Sequence, residues 1–259
     1  MKVKLIAHTQ LSIDFTDSLG DSYETFMSGK ATDGQAVALS AVRTCYSANK
    51  PSEIVAKEGV KYFSNKATDG GKGTEADRLM RHIIASKHTS TLEHITFTFA
   101  IEGVSRALLA QLTRHRVGFS FSVQSQRYVR FGSDDKSGGF DYVIPKSVED
   151  AEKKGVYDAA DGDYVSPKEI FQYAMDEIQW QYDKLRDAGI PAEDARMVLP
   201  QAATTNLVMT VNLRSLLDFY AKRRKGNGAQ AEIAELAEHL RKEVVKAEPW
   251  VDEFFEGGR

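Results

Sequence analysis

Cysteine is nearly missing from this chain: Cys45 is the single one in 259 residues. An internal disulfide framework and any multi-cysteine metal site are therefore excluded. A large excess of charge of one sign is missing too, since 34 Lys and Arg face 37 Asp and Glu for a net charge of -3. A protein that coats nucleic acid carries a basic excess, so no nucleic-acid partner is expected and any anion must bind at a local patch. Long hydrophobic runs are absent. The apolar stretch in the opening MKVKLIAHTQ is too short for a signal peptide, and no later stretch approaches membrane-spanning length. The expectation is a reduced, cytoplasmic, globular protein with no membrane partner.

Several chemical signatures are also lacking. No Gly-x-Ser-x-Gly elbow offers a serine nucleophile. No Gly-x-Gly-x-x-Gly follows a strand, which argues against a Rossmann nicotinamide site. His82, His88 and His94 are spaced by six, which matches no single helix face, and no Cys or acidic trio completes a metal set. The Gly-rich stretch Ala67 to Ala76 lacks the Gly-Lys-Ser/Thr ending of a phosphate loop and is expected to be a flexible connection.

What is present is enough apolar material, 42% against 27% charged, to form a packed core. Val3 to Ala7 reads as an opening strand and residues 35–47 as a helix, with Cys45 on its apolar face beside positions 37, 38, 41 and 42 as a small buried hydrophobe. Ala76 to Lys87 reads as an amphipathic helix with Leu79, Ile83 and Ile84 on one face. Ile95, Phe97 and Phe99 alternate with Thr96, Thr98 and Ala100 as a half-buried strand. Ser105 to Arg116 reads as a helix buried through Leu108, Leu109 and Leu112. Residues 131–165 read as a loop excursion around a short strand at Tyr142 to Ile144. Ser166-Pro167-Lys168-Glu169 is a capping box opening a helix whose stripe is Phe171, Ala174, Ile178, Tyr182 and Leu185, ended by Gly189. A strand through Val208 to Val211, a helix from Arg214 to Arg224 and a final helix with Ile233, Leu236, Ala237, Leu240 and Val244 on one face complete the chain. The order implies one α/β or α+β domain over residues 1–259, with a central sheet flanked by helices.

The chemistry concentrates in residues 103–133, which hold Arg106, Arg114, Arg116, Arg127 and Arg130 with His115 and no Asp, Glu or Lys. Guanidinium grips phosphate or carboxylate bidentately, where lysine acts as a point charge. Helical spacing would place Gln111, Arg114 and His115 on one face. Phe119 to Tyr128 then alternates apolar with polar, as a strand with Phe119, Phe121 and Val123 inward. The set suits a nucleotide, with arginines and Ser125 for phosphate and Gln and Arg for a base edge. A second cluster is Arg214 with Lys222, Arg223, Arg224 and Lys225; cations at a helix C-terminus also favour the macrodipole, so composition leaves its role open.

Arg114-His115-Arg116 followed by Ser125-Gln126-Arg127-Tyr128 resembles the signature of the flavin-dependent thymidylate synthases. The resemblance extends in order through Leu92-Glu93-His94, Ser105-Arg106 with Gln111, Glu193-x-Ala195-Arg196 with Leu199-Pro200, Thr210 to Leu216, and Ala229-Gln230 with Glu232-Ile233. It implies an α/β homotetramer with active sites between subunits. It also implies conversion of dUMP to dTMP, using 5,10-methylenetetrahydrofolate as carbon donor and NADPH, through FAD, as reductant. Carried over by motif position, Ser90, Arg114, His115, Arg116, Asn212, Arg214 and Asp218 would contact FAD. Gln111, Arg114, Gln124, Ser125, Arg127, Arg196 and Arg223 would bind dUMP, with Arg223 polarising the uracil. Eight residues, against the family's seven, separate Arg116 from Ser125, so either Val123 or Gln124 fills the position before the serine; a β-bulge would absorb the added residue. Asn227 or Gly228 stands where the family commonly has a histidine. Two other readings use the same Arg and Phe cluster: a non-enzymatic RNA- or nucleotide-binding protein, and a flavoprotein acting on another pyrimidine nucleotide.

Overall fold

The computed structural model describes residues 1–20, 22–23, 31–151, 155–157 and 164–256. Parts of the acidic stretch Asp14 to Asp33 and of the 131–165 excursion thus lie outside the described residues. Four strands form one antiparallel sheet: β1 (Lys2–His8), β2 (Thr96–Ser105), β3 (Phe119–Val123) and β4 (Thr204–Asn212), in the spatial order β1-β2-β4-β3. The architecture is α+β.

Strand alternation gives the sheet two different faces. On one face Phe97 lies opposite Val211, which lies opposite Phe119, and the next row is Leu5, Phe99, Met209 and Phe121. These rows meet helices α4 (Arg106–Leu112), α6 (Leu213–Arg223) and α7 (Ala231–Ala247) in the main hydrophobic cluster. Ile233, Leu236, Ala237, Leu240 and Val244 of α7 are all buried there, as their spacing predicts. The other face carries Thr98 and Thr210, joined hydroxyl to hydroxyl at 2.9 Å, with Ser120, Ala100, Val208 and Ser122 beside them.

A second cluster fills the space between α1 (Asp33–Thr44), α2 (Ile54–Phe63) and α3 (Glu75–Ala85), with Leu39, Ile54 and Phe63 at its centre. A third packs Phe131 and Ala195 on Tyr182 of α5 (Pro167–Asp187). Its N-terminal capping box at Ser166 and Glu169 is present as read from sequence.

Several expectations need correction. The strand read over Ile95 to Ala100 spans Thr96–Ser105, because a register shift between Ile101 and Val104, with Gly103 at φ +68°, interrupts the alternation without ending the pairing. Helix α4 stops at Leu112 with Thr113 as its C-cap, so Arg114, His115 and Arg116 follow the helix and do not share its face with Gln111. Tyr142 makes one isolated bridge to Ala203 in place of a strand. On α5 Met175, not Ala174, is buried. Cys45 is exposed: it caps the C-terminus of α1, past the turn that would bury it.

The Gly-rich connection is not loose. The Thr68, Gly71 and Thr74 amides donate to the carboxylates of Glu75, Asp69 and Asp77, and Asp69 pairs with Arg81. These three amides are taken by the chain's own carboxylates, so the loop does not present the open N–H cradle of a phosphate loop. The described part of the 131–165 excursion is likewise strapped down. Gln179 of α5 donates to the Phe131 carbonyl at 2.9 Å and accepts from the Phe140 amide at 2.9 Å, while Ser133 donates to Asp183.

Candidate active site

The turn between α4 and β3 carries the Arg-His-Arg sequence. Gly118, at φ +73°, lets it close tightly against the start of α6: the Asn212 amide donates to the Gly118 carbonyl at 3.1 Å. Asn212 is the N-cap of α6, its side chain accepting from the Ser215 amide at 2.9 Å. A Cβ on Gly118 would collide with the Ser215 hydroxyl and the Asn212 amide group. Glycine is required here by contact as well as by φ.

His115 tucks inward from this turn while Arg114 and Arg116 stay exposed. Its ring meets Phe219 edge-on at 4.9 Å between centroids and Phe119 at 5.9 Å. Its Nε2 accepts a hydrogen bond from Arg223 Nε at 3.1 Å, bringing together two residues 108 positions apart. Burial, followed by the charge of Arg223, pushes the His115 pKa down.

Other predicted flavin contacts are engaged within the chain. Arg214 pairs with Glu93, and Asp218 with Lys222 at 2.7 Å. Ser90 is exposed on the 3-10 turn Thr89–His94. Asn227, where the histidine is missing, donates to the Ala221 carbonyl at 2.7 Å.

The nucleotide residues form a second group. Residues 119–123 pair with β4 in unbroken register, so no bulge inside β3 absorbs the added residue. Gln124 extends the strand edge, its amide donating to the Asn206 carbonyl at 2.8 Å and its side-chain oxygen accepting from Asn206 at 3.1 Å. Ser125 Oγ accepts from the Arg127 amide at 3.1 Å. Arg127 pairs with Glu193 at 2.6 Å, and Arg196 Nε donates to the Glu193 carbonyl at 2.9 Å. Gln111 donates to Gln230 at 2.6 Å and, among the described residues, hydrogen-bonds to no member of either group. Among the described residues no hydrogen bond or ion pair joins the Arg114–Arg223 group to the Ser125–Arg196 group.

Sequence reasoning gave no role to Arg106, Glu93 or Glu193. Arg106 lies near Arg196, has no ion-pair partner among the described residues, and is held below its ordinary pKa by burial and then by the Arg196 charge. Its place in an all-arginine segment was the available signal. Glu93 and Glu193 stood in the resembling segments, but a carboxylate's partner far along the chain is invisible in sequence. Among the described residues no group of three His, Cys, Asp or Glu side chains is arranged to hold a metal ion, and no helix is long and apolar enough to cross a membrane.

Comparison with known proteins decides the family. The family described as thymidylate synthase complementing protein matches residues 29–250. A flavin-dependent thymidylate synthase of Geobacter sulfurreducens is 36% identical over 219 residues, covering 85% of this chain and 81% of the relative. The chain belongs to the flavin-dependent thymidylate synthase family. Other members are similar to it: that of Halobacterium salinarum is 40% identical, covering 69% of this chain and 73% of its own, and that of Pyrococcus abyssi is 36% identical over 73% and 72%. In fold, the chain is similar to a UMP/dUMP methylase, PolB, of Streptomyces cacaoi, solved with 5-Br dUMP. The TM-score is 0.63 at 23% identity, covering 98% of this chain and 94% of that one.

Proposed function

We propose that this flavin-dependent thymidylate synthase family member converts dUMP to dTMP, taking its one-carbon unit from 5,10-methylenetetrahydrofolate and its reducing equivalents from NADPH through FAD. The observation that carries the reading is the His115–Arg223 contact, which brings the two matched arginine segments to one place. Arg114 and Arg116 are exposed and have no carboxylate partner among the described residues, which fits an anionic, phosphate-bearing cofactor such as FAD. Arg214, Asn212 and Asp218 fit it through exchange: each is exposed or half-exposed and now holds a partner within the chain that a cofactor can replace. Ser90 and His115 complete that set. The chemistry a bound flavin supplies here is hydride transfer, which no side chain provides.

The chain's own residues bind and polarise. Ser125, Arg127 and Arg196, with Gln111, Arg114 and Gln124, are assigned to dUMP. Ser125 is assigned to phosphate binding because its hydroxyl meets an amide N–H, and among the described residues no His, Asp or Glu meets it as a base. Arg223 presents its guanidinium to the uracil edge, where it stabilises negative charge and makes C5 the nucleophile toward the methylene carbon. Cys45 has no part in attack on the base: it lies in the α1 C-cap, its Sγ 3.8 Å from the Ala41 carbonyl.

The chain is assigned to a cytoplasmic homotetramer. Three features support a partner subunit at the site. No hydrogen bond or ion pair joins the two groups of site residues among the described residues, and the sheet face of small and hydroxyl residues leaves Val208 41% exposed. Exposed Val117 and Met197 flank the same site segments. The test is Arg223→Ala. It should retain bound flavin and lose about 10²–10³-fold in dTMP turnover; full activity would show that Arg223 is not the polarising group.

A further inference from the structure

We infer that His115 is a positioning residue for Arg223, its neutral imidazole accepting the Arg223 Nε–H and so aiming the guanidinium. The inference rests on the role given to Arg223 above.

An arginine can only donate, so Nε2 of His115 must be the acceptor and the ring proton must sit on Nδ1. Using Nε–H in this contact leaves the terminal fork of the guanidinium free, which is the part that can meet a planar base edge bidentately. The imidazole is itself held firmly. Its backbone amide donates to the Leu112 carbonyl at 3.0 Å, and its ring packs against both Phe119 and Phe219, which also meet each other at 6.0 Å, so the three rings form one cluster. Phe219 is fully buried and lies four residues before Arg223 on α6, so the ring that supports the imidazole and the arginine share one face of that helix. A long, flexible side chain is thereby anchored near its head by a group on a different element. Pre-organisation of this kind favours the reacting geometry over the many others an unanchored arginine would visit.

The surroundings keep the imidazole neutral. Burial disfavours its charged form, and the charges facing it are Arg223 and Lys222 from α6 and Arg114 from its own turn, with Asp218 of α6 opposing them. From β3 the uncharged Phe119 ring faces it. Protonation would remove the acceptor at Nε2 and set imidazolium against guanidinium. The anchor therefore holds above the lowered pKa of His115 and is lost below it.

This role differs from a flavin contact in what removes it: a contact made by the ring survives in phenylalanine, whereas the acceptor does not. The experiment compares parent, His115→Phe, His115→Gln, Arg223→Ala and the double variant His115→Phe/Arg223→Ala. Flavin content, KM for dUMP and kcat are measured between about pH 5 and 9, the range in which histidine titrates. His115→Phe should keep its flavin and its KM and lose about 10–100-fold in kcat. His115→Gln, whose amide oxygen can accept, should recover part of that and lack the parent's acid limb. In the Arg223→Ala background, His115→Phe should change kcat by less than about twofold, because neighbours that act through one contact are not additive. Multiplying losses in the double variant, or a kcat loss that merely tracks lost flavin, would overturn the inference. The pairing has its own readout: nitrogen-15 resonances of the His115 ring should show the Nδ1–H tautomer, and the ring pKa should rise in Arg223→Ala. An unmoved titration refutes the pairing, whereas a parent that forms no dTMP refutes the reading of the reaction.

Discussion

Replacing Gly118 by alanine tests whether the Arg-His-Arg turn and the α6 N-cap form one structural unit. Alanine at φ +73° carries the left-handed backbone penalty of about 1–2 kcal/mol, partly offset by a less flexible unfolded chain. Its Cβ also meets Ser215 and Asn212, so the cap that Asn212 gives the Ser215 amide must shift, at about 1 kcal/mol more. The expected total is about 2–3 kcal/mol. Gly138→Ala is the control, since Gly138 has φ +68° but nothing within reach of a Cβ; it should show only the backbone part, about 1 kcal/mol. For a chain of this size about 2–4 °C of melting temperature corresponds to each kcal/mol. Thermal unfolding at matched protein concentration should thus show a fall of about 5–10 °C for Gly118→Ala against about 2–4 °C for Gly138→Ala. Flavin content should fall with the first and not the second. Equal melting of the two variants would refute the shared-turn reasoning.

Cys45→Ser should melt like the parent, because the thiol is exposed, and should retain substantial dTMP formation that requires FAD and NADPH; a folded, flavin-bound and dUMP-bound variant that forms none would show a cysteine-dependent reaction. Glu248 is 1% exposed and accepts from the Thr32 hydroxyl, the Gly34 amide and the Trp250 indole, so Glu248→Ala leaves three donors without an acceptor and should cost about 2–4 kcal/mol by denaturant unfolding. Burial raises the Glu248 pKa, which means its contribution is complete below the unfolded value of about 4.3 and is lost as pH rises through the native one. The parent's melting temperature should accordingly fall relative to that of Glu248→Gln with rising pH across that window; a rise would refute the assignment.

Much of this was legible in sequence where the signal is periodic. The α7 stripe and the Phe97, Phe99 alternation met the core as read, because burial on one face imposes a period that composition records directly. Boundaries failed where one residue changes the local geometry. The shift around Gly103 hid the second half of β2, and the Thr113 cap ended α4 before the arginines that its helical spacing seemed to include. Cys45 followed the apolar spacing of α1 but fell one residue beyond its last turn. Site contacts were the least legible part. Arg223 meets His115 because α6 follows β4 back beside the turn before β3, and Arg214 meets Glu93 because β4 pairs with β2 and ends beside the 3-10 turn that precedes it; no local pattern encodes either return.

The most direct test of the proposed reaction is to mix dUMP and 5,10-methylenetetrahydrofolate with protein whose flavin has been reduced by NADPH, and to follow flavin absorbance and dTMP together. The account predicts that dTMP forms as the flavin is reoxidised, in proportion to bound flavin, and that flavin-stripped protein forms none until FAD is restored. Formation of dTMP at the same rate by the stripped protein, or none by the flavin-loaded one, would contradict it.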